Sequence, residues 1–291
     1  GRHPYDAVKM LKIIILQSLY NLSDDEMEFQ LNDRISFMRF CGIDACDKIP
    51  DATTIWRFKE SLGEKGTRAL FDDFEGQMVD AGLRFSAGSI IDASFVEAPR
   101  QRNTPEENTS IKETGKAPKE WSSAKKRQKD VDARWTKKGE QTYYGYKHHA
   151  IVDTFTKIIT NHQTTSANVH DIEPLVDLVQ ENTHYILADS AYLSQEKEAQ
   201  LADKKVKLHA VKKRKRGQDK LSEEDKAYNK TVSKVRCRVE HVFGAIKQMG
   251  GDYVRSIGLK RCKRFVNLVS LSYNMKRFAY LCRVGHLCPN R

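Results

Sequence analysis

The chain has 291 residues, with 50 Lys and Arg against 39 Asp and Glu, which gives a formal net charge of +11. Hydrophobic residues make up 39% of the sequence, which excludes an intrinsically disordered chain, and no apolar run has the length of a membrane span. A chain this basic is attracted to polyanions, most commonly nucleic acids, although a generic positive surface would give the same total.

Residues 1–85 are predicted to form a helical N-terminal domain. The apolar run VKMLKIIILQSLYNL predicts a buried first helix. The stretch SDDE predicts a second helix with a capping box, formed by Ser23 and Glu26. Two further helices are predicted, the last ending at Gly82. Short helices with an exposed cation such as Arg57 are typical of DNA-binding heads and of dimerisation bundles, and the residues leave both open.

Residues 86–291 are predicted to form an α/β domain. The runs GSIIDASFVEA and HYILADSAY predict strands, and YYGYKHHAIVDTFTKIITNHQTT predicts a hairpin. Between the first strand and the hairpin, residues 99–142 are polar and basic and predict a long loop. Two long helices are predicted over 222–248 and 261–282. This order of elements indicates a sheet of mixed strand direction with flanking helices.

Two aspartates lie where a strand pattern makes acidic residues unusual. Asp92 interrupts the first strand, and Asp189 ends the apolar run YILA. Ligands and catalytic groups collect at strand ends in α/β sheets. Each aspartate taken alone is more simply explained as a turn or capping residue, so a functional role requires partners.

A glutamate in the stretch RVEHVFGAIK is the predicted partner. Arg236, Glu240 and Lys247 fall on one stripe of the predicted helix, at the edge of an apolar seam of valines. An ordinary Arg–Glu pair explains this spacing, and so does a third carboxylate flanked by phosphate-binding cations. Three converging carboxylates repel one another unless a cation joins them, and Mg²⁺ prefers such oxygen ligands. The hypothesis is a two-metal site for phosphodiester chemistry, with Mn²⁺ as a substitute.

A basic block near the middle of the second domain is the other candidate DNA contact. Residues 204–216 contain eight Lys and Arg and no acidic residue, so the block requires an anionic partner or full solvation. Its end is predicted to face DNA, although a solvated basic turn would look the same. The predicted residues are Lys212, Lys213, Arg214, Lys215 and Arg216.

Aromatic side chains are weaker candidates. Trp121 and Trp135 are predicted to be available for stacking on unpaired bases at a cleaved DNA end. For Tyr143 and Tyr144, core packing is the better interpretation.

Three histidines are candidate metal ligands. His148 and His149 are adjacent in a strand and point to opposite faces, so one is predicted to be packed and the other solvated. The stretch DIEPLVDLVQ predicts a helix capped by Asp171, and NVHD, which contains His170, most simply caps that helix; a position near the active site is the weaker interpretation.

The six cysteines form no CxxC pair. The spacings Cys41–Cys46 and Cys282–Cys288 differ from those of common zinc sites, which favours reduced thiols in a cytoplasmic protein over a structural zinc.

Several stretches, taken in order, resemble a known family. The stretches IIDASFV, DARWTKKGEQTYYGYKHHAIVD, SANVHD, LADSAY and RCRVEHVFGAIK are similar to the DDE transposases of bacterial insertion sequences, specifically the insertion-sequence-five group. The N-terminal stretches, including IPDATTIWRFKESL, resemble the helical domain of that group. The family carries residues upstream of GRHPYD, so this chain is expected to lack its native start.

The resemblance implies a ribonuclease-H-like mixed sheet with flanking helices, preceded by a small all-α domain. It implies a metal triad of Asp92, Asp189 and Glu240 that holds Mg²⁺. The signature of related transposases matches at Arg236 and Lys247, whereas its tyrosine position is Ser233 here.

The implied activity is cleavage at the element's ends by metal-activated water, followed by attack of the freed 3′-hydroxyls on target DNA. The implied partners are double-stranded DNA, as terminal inverted repeats and target, and a second copy of the chain on that DNA. The implied location is the bacterial cytoplasm, at the nucleoid, without a membrane. Two alternatives are a non-catalytic DNA-binding descendant and a ribonuclease-H-like nuclease without strand transfer.

Overall fold

The computed structural model describes residues 4–44, 46–214 and 220–285. The helices, in chain order, are α1 Ala7–Tyr20, α2 Asp24–Asp33, α3 Ile35–Cys41, α4 Ala52–Asp80, α5 Pro105–Thr114, α6 Ser123–Gln128, α7 Leu175–Leu178, α8 Gln195–Asp203, α9 Glu223–Arg236, α10 Arg238–Gln248 and α11 Leu259–Arg283. The strands are β1 Gly88–Glu97, β2 Arg134–Lys138, β3 Gln141–Asp153, β4 Ile159–Ser166, β5 Tyr185–Ala188 and β6 Lys207–Ala210. Within the described ranges, none of the helices combines the length and apolar character needed to cross a bilayer.

The first four helices form the N-terminal part of the molecule. The predicted capping box is present at the start of α2, where Ser23 and Glu26 bond each other's backbone. Asp51 caps the start of α4, where its side chain accepts a hydrogen bond from the Thr54 N–H. The helix that begins there runs on to Asp80 through a break at Gly63, whose φ of 59° leaves the helical region.

The six strands form one mixed sheet in the order β2-β3-β1-β5-β6, with β4 also paired to β3. The strands β1, β5 and β6 are parallel, whereas β3 is antiparallel to β1, β2 and β4. Helices α10 and α11 cover one face and α7 and α8 the other, and each face has its own apolar core. This is the mixed α/β architecture expected from the sequence.

The helical part is joined to the core through α4 and α11. Glu60 of α4 forms ion pairs with Arg261 at 3.1 Å and with Arg264 at 2.6 Å. Deeper in the same contact, the buried Asn267 side chain donates to the Thr67 hydroxyl at 3.0 Å. The polar side chains where the two parts meet are therefore paired with one another.

The prediction of a long loop over residues 99–142 is wrong for much of that segment. The segment contains α5, α6 and the edge strand β2. Helix α5 begins at a second capping box, formed by Thr104 and Glu107. The Glu107 carboxylate also accepts from the Trp121 indole at 2.6 Å, which folds the polar segment onto itself.

Two helix predictions also differ from the structure. The single helix predicted over 222–248 is divided at Cys237 into α9 and α10. The helix predicted from DIEPLVDLVQ shrinks to the single turn of α7, and Asp171, its predicted cap, pairs with Lys147 at 2.8 Å instead. In both cases a tertiary contact or a local backbone change overrides the helical pattern.

Candidate active site

The two predicted aspartates lie at the same level of the neighbouring strands β1 and β5. In the parallel pairing of β1 and β5, Ile90 is opposite Leu187. Asp92 and Asp189 each follow two residues later, so they continue at the same level. Neighbouring strands lie about 4.8 Å apart, which places the two backbones within reach of a shared ligand.

Asp189 lies at the point where the buried strand β5 becomes a short turn. The run Tyr185–Ala188 is followed by a single 3₁₀ turn, Ser190–Tyr192, which Asp189 caps. Its Oδ1 accepts from the Ser190 N–H at 2.6 Å and from the Ser190 hydroxyl at 3.1 Å. The carboxylate is therefore held at the strand end by its own turn.

Asp92 lies within β1, and its side chain is 24% exposed. Its Oδ1 accepts from the Ala93 N–H at 2.8 Å, and its Oδ2 accepts from the Arg236 guanidinium at 3.1 Å. Burial raises the pKa of the Asp92 carboxyl above its ordinary value; Ala93 and Arg236 oppose this rise, and the Asp189 charge adds to it. Asp92 is thus an acid whose charge depends on a nearby cation.

Glu240 lies in the first turn of α10, and its side chain is 64% exposed. The Arg236 guanidinium is 3.1 Å from the Asp92 carboxylate and 3.7 Å from the Glu240 carboxylate. Arg236 therefore lies between two of the three predicted metal ligands. The seam predicted beside Glu240 is buried through Val239 and Val242.

The donor chemistry of this triad fits a hard divalent cation. Carboxylate oxygens are the ligands that Mg²⁺ and Mn²⁺ prefer. The Arg236 guanidinium lies between the Asp92 and Glu240 carboxylates, so a positive charge is accommodated there. In the part of the chain that the structure describes, however, no three His, Cys, Asp or Glu side chains converge closely enough to hold one ion.

Tyr192 is a neighbour of the triad that sequence reasoning missed. It is buried, and its hydroxyl finds no hydrogen-bond partner among the described residues. Burial raises the pKa of the Tyr192 hydroxyl, and the charges of Asp92, Asp171 and Asp189 raise it further, so the group keeps its proton and is a donor. The available signal was an aromatic residue three positions after the strand-ending aspartate.

Apart from the partly buried Arg236, the described cations that are predicted to contact DNA are exposed, and two of them form ion pairs with acidic residues. Lys247 lies 3.4 Å from Asp252, and Lys212 pairs with Asp225 at 2.7 Å. Both lysines are exposed, and so are Arg57, Lys213 and Arg214. Lys215 and Arg216 lie outside the described residues. A DNA-binding role for this group stays a prediction.

The histidine expectation is wrong in two respects. His148 and His149 are both buried, because helices cover both faces of the sheet. His149 Nε2 shares a 2.8 Å hydrogen bond with the Thr165 hydroxyl. His170 is exposed, and its Nδ1 accepts from the Ile172 N–H at 3.4 Å in the turn before α7. Helix α7 has Pro174 at its N-cap and no side-chain cap, so the capping role expected for His170 is wrong.

The aromatic expectation is wrong for Trp121, which is buried. Trp135 is 51% exposed, with the Arg100 guanidinium 5.6 Å from its ring. Tyr144 is buried, as expected, and Tyr143 stacks on Phe95 with 4.1 Å between ring centroids.

Comparison with known families identifies the domain that carries the carboxylates. Residues 84–275 match the family model described as "Transposase DDE domain". The chain belongs to the DDE transposase family. Residues 1–61 match a second model, described as "Transposase domain (DUF772)". Together the matches support a DDE transposase of insertion-sequence type, an enzyme of the nuclease and transposase kind that binds DNA.

A solved transposase has a similar fold. It is a piggyBac transposase, determined by cryo-electron microscopy in a synaptic complex with hairpin DNA. The TM-score is 0.51 at 12% identity, over 98% of this chain and 67% of that chain. At this identity the likeness concerns the fold, and it agrees with a ribonuclease-H-like core preceded by helices. The family as a whole depends on divalent metal, which fits the carboxylate donors of this transposase.

Proposed function

We propose that this chain is a transposase of the insertion-sequence-five group that cuts DNA at the ends of its element and joins those ends to target DNA. The observation that carries the proposal is the level placement of Asp92 and Asp189 on adjacent parallel strands, with Arg236 between the carboxylates of Asp92 and Glu240. Polar groups where parallel strands end are a common location for catalysis, and Asp189 directly follows β5.

In this proposal Asp92, Asp189 and Glu240 hold Mg²⁺, or Mn²⁺ in its place. When bound, such ions activate an attacking oxygen and stabilise charge on a leaving oxygen. In the first transfer the water oxygen bonds to phosphorus, the bond from phosphorus to the 3′-oxygen breaks, and that oxygen takes a proton. In the second transfer the freed 3′-hydroxyl loses its proton and its oxygen bonds to a target phosphorus. The bond from that phosphorus to the target's own 3′-oxygen breaks, and this leaving oxygen takes a proton.

The remaining site residues bind and orient the DNA. Arg236 is a guanidinium between two carboxylates, and a phosphate is a natural alternative partner for it. Lys247 is 74% exposed and points a second charge toward solvent two turns along α10. These cations position a phosphate without reading sequence.

The partners and location follow from the same activity. Transposition joins two ends of one element, so we propose a homodimer on double-stranded DNA that holds both terminal inverted repeats. The proposed location is the bacterial cytoplasm, at the nucleoid, where its DNA substrate lies.

The test uses the full chain with Mg²⁺ and DNA carrying the inverted repeats that flank its gene. Parent, Asp189→Ala and Glu240→Gln are compared for free 3′ ends and for joined products. We expect both variants to lose cleavage. Asp203→Asn, an exposed aspartate at the end of α8, is the matched control and should cleave like the parent.

The outcomes separate the alternatives. Unchanged cleavage by both variants would show that the triad is assigned incorrectly. Cleavage by the parent without any joined product would favour a nuclease, and specific binding without cleavage would favour a non-catalytic descendant.

A further inference from the structure

A pocket of about 460 Å³ lies between the N-terminal helices and the catalytic core, apart from the carboxylate triad. Its walls come from α1, from the start of α4, from α11 and from the 249–258 segment that links α10 to α11. Its volume lies within the range of ligand pockets, roughly 300–1,000 Å³.

The 249–258 segment is fixed rather than loose. Glu97 at the end of β1 donates its N–H to the Asp252 carbonyl and accepts from the Val254 N–H, both at 2.8 Å. Gly250 has a φ of +71° and lies so close to Asn21 that a Cβ there would come within 2.3 Å of its side chain. The pocket wall is therefore built by close backbone approach, which only glycine permits.

Two exposed aromatic side chains line the pocket. Trp56 is 44% exposed and Tyr253 is 46% exposed. Exposed aromatic faces beside an apolar lining provide surfaces on which a flat ring can stack. The apolar lining includes Ile14, Phe265 and Leu268.

The lining is also net positive. It carries four cations, Lys59, Arg255, Arg261 and Arg264, against two carboxylates, Asp24 and Glu60.

Both carboxylates are already bound. Glu60 is held by Arg261 and Arg264, and Asp24 accepts from Lys59 and, at 2.7 Å, from the Gln17 amide. The lining therefore keeps a net positive charge, which attracts an anion.

One buried polar group in the lining also awaits a partner. The Ser18 hydroxyl is shielded from water and makes no hydrogen bond to any residue that the structure describes. Buried hydroxyls are normally bonded, so this oxygen is a candidate ligand contact.

We propose that this junction pocket takes an unstacked nucleotide of the DNA substrate, with its base against Trp56 and Tyr253 and its phosphate near Arg255. The inference rests on the proposed function, because that function supplies the DNA. Aromatic side chains stack on any base, so the pocket binds without sequence preference.

The position of the pocket suits such a role. Met249, at its edge, follows Glu240 by nine residues, which is about 13 Å along the axis of α10. At 3.4 Å per nucleotide along one strand, this separation corresponds to about four nucleotides from the triad.

The test measures binding by fluorescence anisotropy in EDTA, with no catalysis. The probes are a blunt 20-base-pair duplex and the same duplex with a five-nucleotide single-stranded extension. Since stacking on one base contributes about 1–3 kcal/mol, we expect Trp56→Ala and Tyr253→Ala each to weaken binding of the extended probe roughly tenfold. Binding of the blunt duplex should stay within about twofold of the parent.

Three further variants keep the test decisive if an alanine variant misfolds. Trp56→Phe should retain most of the affinity because its ring still stacks. Arg255→Ala should reduce the salt slope for the extended probe by about 0.7. Tyr280→Ala is the matched control, since Tyr280 is 43% exposed and flanked by Arg277 and Arg283 but lies outside the pocket.

Parent-like binding of the extended probe by both alanine variants would overturn the proposal, and so would an equal loss for both probes. A failure of the proposed function would appear separately, as absent cleavage in Mg²⁺, while the binding difference in EDTA remained.

Discussion

Asp153 and Asp92 lie on the paired strands β3 and β1, only three positions apart in the register, and their surroundings differ sharply. Asp153 is buried at the turn that ends β3. Its Oδ2 accepts from the Ser86 N–H and hydroxyl, and its Oδ1 accepts from the Phe155 N–H and from the Thr156 N–H and hydroxyl. Three of these hydrogen bonds come from the turn itself and two come from Ser86, just before β1, so this carboxylate fixes the turn and joins it to the start of β1.

Asp92 accepts from one backbone N–H and from the side chain of Arg236, on a different element. A carboxylate surrounded by fixed donors is committed to structure, whereas one that depends on a movable cation is available to a ligand. The difference separates a structural aspartate from a candidate catalytic one, although both lie in the same sheet.

The largest expected effect is the loss of DNA cleavage in Asp92→Asn, by about 10³-fold or more, because charge stabilisation in the transition state is removed. Since burial raises the pKa of Asp92, a neutral isostere should change the free energy of unfolding by no more than about 1 kcal/mol. Cleavage assays and urea denaturation measure the two effects. A large loss of stability with retained cleavage would show that Asp92 is a structural residue and not a catalytic one.

Asp153→Asn should lower the free energy of unfolding by about 3 kcal/mol, since the amide nitrogen cannot accept from the donors that now surround the carboxylate. Urea denaturation measures this loss. Asp203→Asn is the exposed control. A loss below about 1 kcal/mol would show that the turn does not depend on this charge.

Three buried histidines, His148, His149 and His162, form few hydrogen bonds, in contrast to Asp153. Burial lowers the pKa of His148 to about 3 and of His149 to about 4, and it lowers the pKa of His162 well below its ordinary value. The unfolded chain binds protons below about pH 6.5, where the folded chain does not, so stability should fall as the pH decreases from about 6.5 to 4.

His162 is the sharpest case, because both of its ring nitrogens are buried without a partner in the described chain. His162→Leu should therefore reduce the pH dependence of the unfolding free energy by up to about 1.4 kcal/mol per pH unit within that window. The exposed His184→Leu is the control. Equal slopes in parent and His162→Leu would contradict the assignment.

The smallest expected effect concerns the cation beside Asp92. Arg236→Gln should lower Tm by about 2 °C without metal, because a partly buried ion pair is lost. It should increase the rise in Tm caused by Mn²⁺, because the Asp92 carboxylate no longer has a competing partner. Thermal scans with and without Mn²⁺ measure both shifts. Lys247→Gln is the control, and an identical Mn²⁺ response in both variants would show that Arg236 does not compete.

Local patterns predicted much of the fold. The capping box of Ser23 and Glu26, the hairpin around Asp153 and the strands that carry Asp92 and Asp189 depend on neighbours in sequence, and each is present. Such features are encoded within a few residues, which is why a single sequence reveals them.

The features that were missed depend on contacts distant in sequence. Edge strand β2 forms its hydrogen bonds with β3. Trp121 is buried, and its indole N–H donates to the Glu107 carboxylate. The position of Arg236 between Asp92 and Glu240 requires the packing of α9 on the sheet and the break at Cys237. Periodicity placed Arg236 and Glu240 on one stripe, but it could not show which carboxylates the guanidinium would reach.

The attachment of the 249–258 segment to Glu97 also determines how Glu240 can move toward the two aspartates. Because Glu97 is bonded to Asp252 and Val254, the far end of α10 is tied to β1, while its near end follows the break at Cys237. Helix α10 is therefore held at its far end by this attachment, whereas the end that carries Glu240 joins α9 at the break. With an arm of about 13 Å, a tilt of about 10° moves Glu240 by roughly 2 Å, so one helix could adjust the spacing of the carboxylates while the sheet stays fixed.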